Sequence, residues 1–263
     1  MIQKPRSFDL LGNIAIVKFP DDFKQKDKKK FGQELMSQNN SIKTILEKTS
    51  KVKGRLRKNE LTHIIGEKTE EVLYKENGCV FRFNAGTSYF SPRLSNERKE
   101  IANCIKPKES VLVMFAGVAP YSIVIAKKSK AKKVVSNEIN REANKYAKLN
   151  IELNKLKDDV ELIQGDIKRL VRQEKLNEKF DVIVMPRPQL KDSFLDEAFK
   201  LSKKGTRIFY YGFCKVSEVK EMYEMVKQKA RENNKKINIT GFKKAGEIAP
   251  YKIRFRIDLK IIG

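Results

Sequence analysis

The sequence predicts an open, mostly parallel α/β sheet wound on both faces by helices, closed by a C-terminal antiparallel strand and preceded by a small α+β domain. Three observations predict it. From residue 108 onward, short β-branched runs alternate with helical segments, the rhythm of a parallel sheet. At the end, Ile253, Phe255, Ile257, Leu259 and Ile261 alternate with Lys252, Arg254, Arg256, Asp258 and Lys260, which reads as a half-exposed antiparallel strand joining that sheet. Before residue 88 the alternation of strand and helix is absent, so residues 1–87 read as a separate small unit and 88–107 as a linker and helix into 108–263.

In the first part, Asn13–Phe19 is an apolar run, and Phe23–Met36 is a basic helical stretch with Asp21 and Asp22 as candidate caps. Strand-like pieces follow at Leu61–Ile65 and Cys79–Phe83. The later strands are Val111–Phe115, Lys133–Ser136, Val160–Ile163 and Phe180–Met185. Between the second and third of these, Arg141–Leu156 places Tyr146, Leu149, Leu153 and Leu156 at helical spacing, with Asn140 as N-cap.

Composition narrows the function. The chain has 263 residues, 57 Lys and Arg against 33 Asp and Glu, and a formal net charge of +24. With 40% hydrophobic residues it can build a core, which excludes disorder as the main state. No run approaches the ~20 apolar residues of a spanning helix, and the start lacks a secretory signal, so a soluble, cytoplasmic monomer is expected with no membrane partner. Cys79, Cys104 and Cys214 lack CxxC spacing and His63 is the only histidine, so no metal site is expected. The positive surplus favours polyanions, nucleic acid first. The basic runs Lys24–Lys30 and Lys51–Lys58 are either solvated faces or phosphate contacts.

Ligands of open α/β sheets bind beyond the carboxyl ends of the strands. The first turn there reads Phe115-Ala116-Gly117-Val118-Ala119-Pro120, small enough for close approach and followed by helix amides. Glu138 ends the second strand, 138 − 117 = 21 residues after Gly117, near the ~20-residue offset of an acid that meets ribose hydroxyls. Asp166 ends the third strand, suited to an adenine amino group; each acid alone could equally be a polar strand end or cap. Together the spacing fits the class I fold of S-adenosylmethionine-dependent transferases.

VLVMFAGVAPYSIVIAK, VVSNEIN, IQGDIKR and FDVIVMPRP…FLDEAF resemble the archaeal and eukaryotic tRNA (guanine-37-N1)-methyltransferase family, which is related to the wybutosine-pathway transferases. SFDLLGNIAIVKFP, KENGCVFRFN and YFSPRLSNERKEI resemble that family's middle domain and linker, so the resemblance spans nearly the whole chain. It implies S-adenosylmethionine as cofactor and tRNA, at the anticodon stem-loop, as partner. It implies Glu97 as general base and Arg57 as the cation at the base's O6, with Arg55 as a competitor, and Arg93 beside them. A plainer role for Glu97 is a helix residue paired with Arg93 or Arg98. Tyr89, Arg98, Phe115, Ala116, Gly117, Glu138, Ile139, Asp166, Ile167 and Pro186 fall on positions that resemble the cofactor and substrate pocket.

The sequence departs from the family at Val113, where an acid is usual, at Ala119, where glycine is usual, and at Pro186-Arg187-Pro188, which replaces Asn-x-Pro. Proline offers no side-chain amide, so Arg187 would have to supply the polar contact or meet a phosphate. A counterpart of the family's separate N-terminal domain is not expected, and the basic first 87 residues are then expected to be the RNA-gripping surface. Two other functions fit the same residues: aminocarboxypropyl transfer or carbon methylation on the same nucleotide, and a decayed site on an RNA-binding module.

Overall fold

The computed structural model describes residue 5 and residues 8–49, 59–187 and 190–263. Arg55, Arg57 and the basic run Lys51–Lys58 lie outside the described residues.

The first unit is a four-stranded sheet in the order β1-β2-β3-β4, formed by Phe8–Leu11, Ile14–Val17, Thr44–Lys48 and Leu61–Gly66. Helix α1, Gln25–Gln38, crosses between the parallel pair β2 and β3, and Ala15, Val17 and Ile45 of the sheet are buried with Phe19 and Phe23 as a small core. Asp21 and Asp22 do not cap α1: its N-cap is Lys24, with no side-chain cap. Phe23 explains the shift, because it is buried and its ring packs 5.6 Å from Phe19, so the turn that seats it uses up the aspartates.

The hairpin of β5 (Glu71–Glu76) and β6 (Cys79–Asn84) forms a sheet of its own. It leans on α4, Arg141–Leu153, where Asn154 just beyond the helix and Asn150 within it replace a neighbouring strand. Val80 N–H donates to Asn154 Oδ1 at 3.0 Å, Asn154 Nδ2 donates to Val80 O at 2.7 Å, and Arg82 N–H donates to Asn150 Oδ1 at 2.7 Å. Phe81 and Phe83 thereby join the core on the α4 side of the large sheet.

After helix α2, Ser95–Cys104, a seven-stranded sheet runs in the order β12-β13-β11-β10-β7-β8-β9. Its strands are β7 Ser110–Met114, β8 Lys133–Glu138, β9 Val160–Gln164, β10 Phe180–Met185, β11 Ser202–Lys215, β12 Ile237–Ala249 and β13 Lys252–Ile261. β7 to β11 are mutually parallel, whereas β13 is antiparallel to both β11 and β12. One face packs α2, α3 (Pro120–Lys128) and α4; the other packs α5 (Ile167–Arg172), α6 (Leu195–Lys200) and α7 (Val219–Glu232). Asn140 caps α4 as its sequence position predicts, accepting the N–H groups of Glu142 and Ala143 at 3.0 and 3.3 Å.

The alternation in β13 holds for its apolar residues, all buried, but not for Arg256, which is 5% exposed rather than solvated. The reason is α2, which lies over that part of the polar face and sets Glu97 and Glu100 against the guanidinium, whereas Lys260 on the same face stays exposed.

Candidate active site

The strand order reverses at β7, whose neighbours are β8 on one side and β10 on the other, and a cavity opens at their carboxyl ends. All ten residues assigned to the cofactor and substrate pocket border it. Tyr89 and Arg98 come from the linker and α2, Phe115, Ala116 and Gly117 from the turn after β7, and Glu138 and Ile139 from the end of β8. Asp166 and Ile167 follow β9, and Pro186 follows β10.

The turn after β7 has three residues in the left-handed region, Phe115 at φ +58°, Gly117 at +59° and Ala119 at +65°. Two of the three carry a Cβ, and such strain persists where surrounding structure fixes it. Ala119 stands as N-cap of α3, with Pro120 at the first helical position, where its fixed φ suits a helix start. Glu138 braces the turn: Oε2 accepts the Gly117 N–H at 2.8 Å and Oε1 accepts the Asn140 N–H at 2.7 Å. Burial pushes this carboxyl above the usual range, while the N–H groups of Asn140 and Gly117 pull the other way. The Ile139 N–H bonds the carboxylate too, so three of its roughly four acceptor sites are taken and the remaining one is open to a ribose hydroxyl of a nucleoside. Asp166 caps α5 by accepting the Lys168 N–H at 3.0 Å and borders the same cavity. Apolar Ile139 and Ile167, with these two carboxylates, make an acceptor set and wall that fit an adenosyl group. Among the described residues, no cluster of His, Cys, Asp and Glu could hold a metal ion.

The residues assigned to catalysis are arranged differently. Glu97 does not border the cavity; it is buried behind the wall and accepts the Tyr211 hydroxyl at 2.8 Å, the Arg256 guanidinium, and Lys243 Nζ at 2.9 Å. It pairs with neither Arg93 nor Arg98. Arg93 is exposed, pairs with Asp9 at 2.6 Å, and borders a second cavity. Arg98, 1% exposed, grips Glu76 through Nε at 2.5 Å and Nη2 at 2.6 Å, and its guanidinium lies 4.9 Å from the centre of the Phe90 ring. Arg57 lies outside the described residues.

The second cavity shares Tyr89, Phe90, Ser91, Phe213 and Arg254 with the first, so the two adjoin. Its other walls include Lys48 of the small sheet and Lys252 of β13. Sequence reasoning missed Tyr121, Tyr211, Phe213 and Arg254 of the first cavity. Arg254 sits in the polar half of an alternating strand and reads as solvent-facing, so no signal marks it. Burial pushes the Tyr121 phenol up to about 12. Arg187 borders the cavity, yet Nη2 donates to the carbonyls of Leu190 and Asp192, both at 2.5 Å, while its buried Nε has no partner. It ties the loop after β10 rather than standing in for an amide.

Comparisons with known proteins bear on the fold and the family. The tRNA (guanine(37)-N(1))-methyltransferase Trm5b of Pyrococcus abyssi is 34% identical over 98% of this chain and 75% of its own length. Its crystal structure superposes with a TM-score of 0.87, covering 98% of this chain and 76% of that one. Nanoarchaeum equitans Taw22, a tRNA (guanine(37)-N(1))/4-demethylwyosine(37)-methyltransferase, is 32% identical over 97% of this chain and all of its own length. Methanocaldococcus jannaschii Trm5 in complex with adenosine has a TM-score of 0.81 at 28% identity, covering 98% of this chain and 74% of that one. Residues 1–69 match the TYW2 N-terminal domain, and residues 72–239 match the TRM5/TYW2 methyltransferase domain. With a parallel sheet reversed at β7, a carboxylate at the end of β8 and a family match over most of its length, the chain belongs to the TRM5/TYW2 methyltransferase family.

Proposed function

We propose that this chain methylates N1 of guanosine 37 in tRNA, using S-adenosylmethionine. The observation that carries the reading is the cavity at the switch point, where Glu138, Asp166, Ile139 and Ile167 frame a hollow also walled by Tyr89 and by Arg98 of α2. The cofactor supplies a methyl group on a sulfonium. The protein's share is to hold Glu138 against the ribose, to admit a purine from the second cavity, and to take the N1 proton, without which that nitrogen is a poor nucleophile. The role of proton acceptor is assigned to Glu97. Arg93, Lys48 and Lys252 around the second cavity suit RNA phosphates, and Arg254 stands where the two cavities meet. The reaction is assigned to the cytoplasm and to a single copy of the chain.

Carbon methylation of 4-demethylwyosine at the same position is a second reading. It is consistent with the similarity to Nanoarchaeum equitans Taw22, whose name carries both methylations, and with Pro186-Arg187 in place of the family amide.

Incubation with labelled S-adenosylmethionine, a G37 tRNA transcript and a tRNA carrying 4-demethylwyosine, followed by nucleoside mass analysis, tests both. N1-methylguanosine at position 37 is the expected product. Label on the tricyclic base alone would replace the first reading by the second, and transfer of the heavier aminocarboxypropyl group would replace both. Label on neither would remove the transferase assignment.

A further inference from the structure

The reaction proposed above needs a proton to leave a ring nitrogen inside the cavity, yet Glu97 is 6% exposed and lies behind the wall. Both of its oxygens are occupied. Oε1 accepts from Tyr211 and Arg256, and Oε2 accepts from Lys243. Arg256 is anchored in turn by Asp258, at 2.6 and 2.8 Å, and by Glu100 at 3.0 Å. Turning Glu97 into the cavity would break these contacts and leave a buried guanidinium short of its partner, an unfavourable exchange. Tyr211 is itself only 1% exposed, but it lines the cavity, which Glu97 does not, and its hydroxyl donates to Glu97 Oε1 at 2.8 Å.

We propose that Tyr211 relays the substrate proton from the cavity to Glu97, with Arg256 and Lys243 as positioning residues that hold the carboxylate on the far side of the phenol. The proposal rests on the N1-methylation reading. In the step, the guanine N1–H bond breaks and its proton passes to the Tyr211 oxygen, while the phenol's own proton passes to Glu97 Oε1. The N1 lone pair forms the bond to the methyl carbon, and the carbon–sulfur bond breaks with its electron pair retained by sulfur. The two proton transfers are concerted. Burial, reinforced by the neighbouring Tyr121 and Glu97, holds the Tyr211 phenol well above its ordinary range, so a free tyrosinate is not an accessible intermediate.

Tyr121 stands beside the relay, with ring centres 6.0 Å apart and planes at 61°. Its hydroxyl lines the cavity and interacts with that of Tyr211 but with no base of its own, so it completes a path to Glu97 only through Tyr211. The charged and titratable groups around Tyr211 are therefore Glu97 from α2, Tyr121 from α3 and Arg256 from β13, with Lys243 of β12 behind Glu97.

The test is single-turnover methyl transfer to a G37 transcript by the wild-type chain, Tyr211→Phe, Glu97→Gln and the double variant, with cofactor binding followed by calorimetry. Tyr211→Phe is expected to slow transfer by roughly 10²–10⁴-fold, the range for a lost acid–base group, at unchanged cofactor affinity. The double variant is expected to be no slower than the slower single one, as for groups acting as a unit. Tyr211 replaced by 3,5-difluorotyrosine keeps the hydroxyl and lowers its intrinsic pKa, so the pH profile of the rate is expected to move to lower pH, which a merely structural phenol would not cause. A Tyr211→Phe rate close to wild type, multiplicative losses in the double variant, or an unmoved pH profile overturns the relay. If Tyr211→Phe also loses cofactor binding, the fluorinated chain decides. A wild-type chain that transfers nothing to G37 removes the reaction itself, so the two failures are distinguishable.

Discussion

Arg98 and Glu76 are buried to 1% and 3% side-chain exposure, and two charge-assisted hydrogen bonds join them. Arg98 also donates to Ser91 O at 3.0 Å, so one guanidinium ties the β5–β6 hairpin to the loop ahead of α2 at the cavity wall. Removing one member of such a pair leaves the other charge buried without compensation. Arg98→Met is expected to lower unfolding free energy by about 3–5 kcal/mol in urea titration, and the double substitution with Glu76→Met is expected to recover most of it. If the double variant is no more stable than Arg98→Met, the pair is not what sets the loss. No motif reveals this pairing: Glu76 lies 22 positions away in a separate hairpin. Glu138 and Asp166, by contrast, were legible because an acid at a strand end is fixed in place by the strand itself. Tyr211 and Arg256 were not, since their partners arrive from other elements, Glu97 from α2 and Lys243 from β12.

Among the elements, β7 to β10 were readable because a buried parallel strand is a short run of branched apolar residues, and each observed strand lies within about two residues of its expected limits. β11 and β12 escaped notice. β11 spans Ser202–Lys215 with Gly205 and Gly212 inside it, and β12 is an outer strand with three register shifts and a largely exposed face. The pairing of β6 with α4 was also hidden, because buried asparagines on a helix face carry no periodic signal. Asn150 is fully buried, accepts the Arg82 N–H and donates to Val118 O at 3.2 Å. Asn150→Leu leaves both groups unsatisfied and is expected to cost about 1–3 kcal/mol each. Amide hydrogen exchange at Arg82 is expected to accelerate in that variant while exchange in β7 stays slow. Equal acceleration in both would show that the hairpin and the large sheet open together.

At the scale of the whole molecule, the net charge of +24 sets how the chain meets a polyanion. Affinity for tRNA is expected to fall roughly a hundredfold or more between ~50 and ~200 mM salt, as release of counterions from several phosphates requires. Electrophoretic or fluorescence titration measures it, and a flat response would remove the electrostatic part of the RNA reading. No helix among the described residues is long and apolar enough to cross a membrane. The order of strands within the large sheet was not legible, because alternation gives the elements and their direction but not which neighbours they choose. That order has a consequence for biosynthesis. β11 and β12 do not pair with each other; both wait for β13, which lies between them although it is the last of the three to leave the ribosome. Until residues 252–261 emerge, a nascent chain exposes the open edge of β11, and Glu97 lacks its Arg256 counterion. The window between translation of β11 and of β13 is therefore one in which this chain is exposed to aggregation.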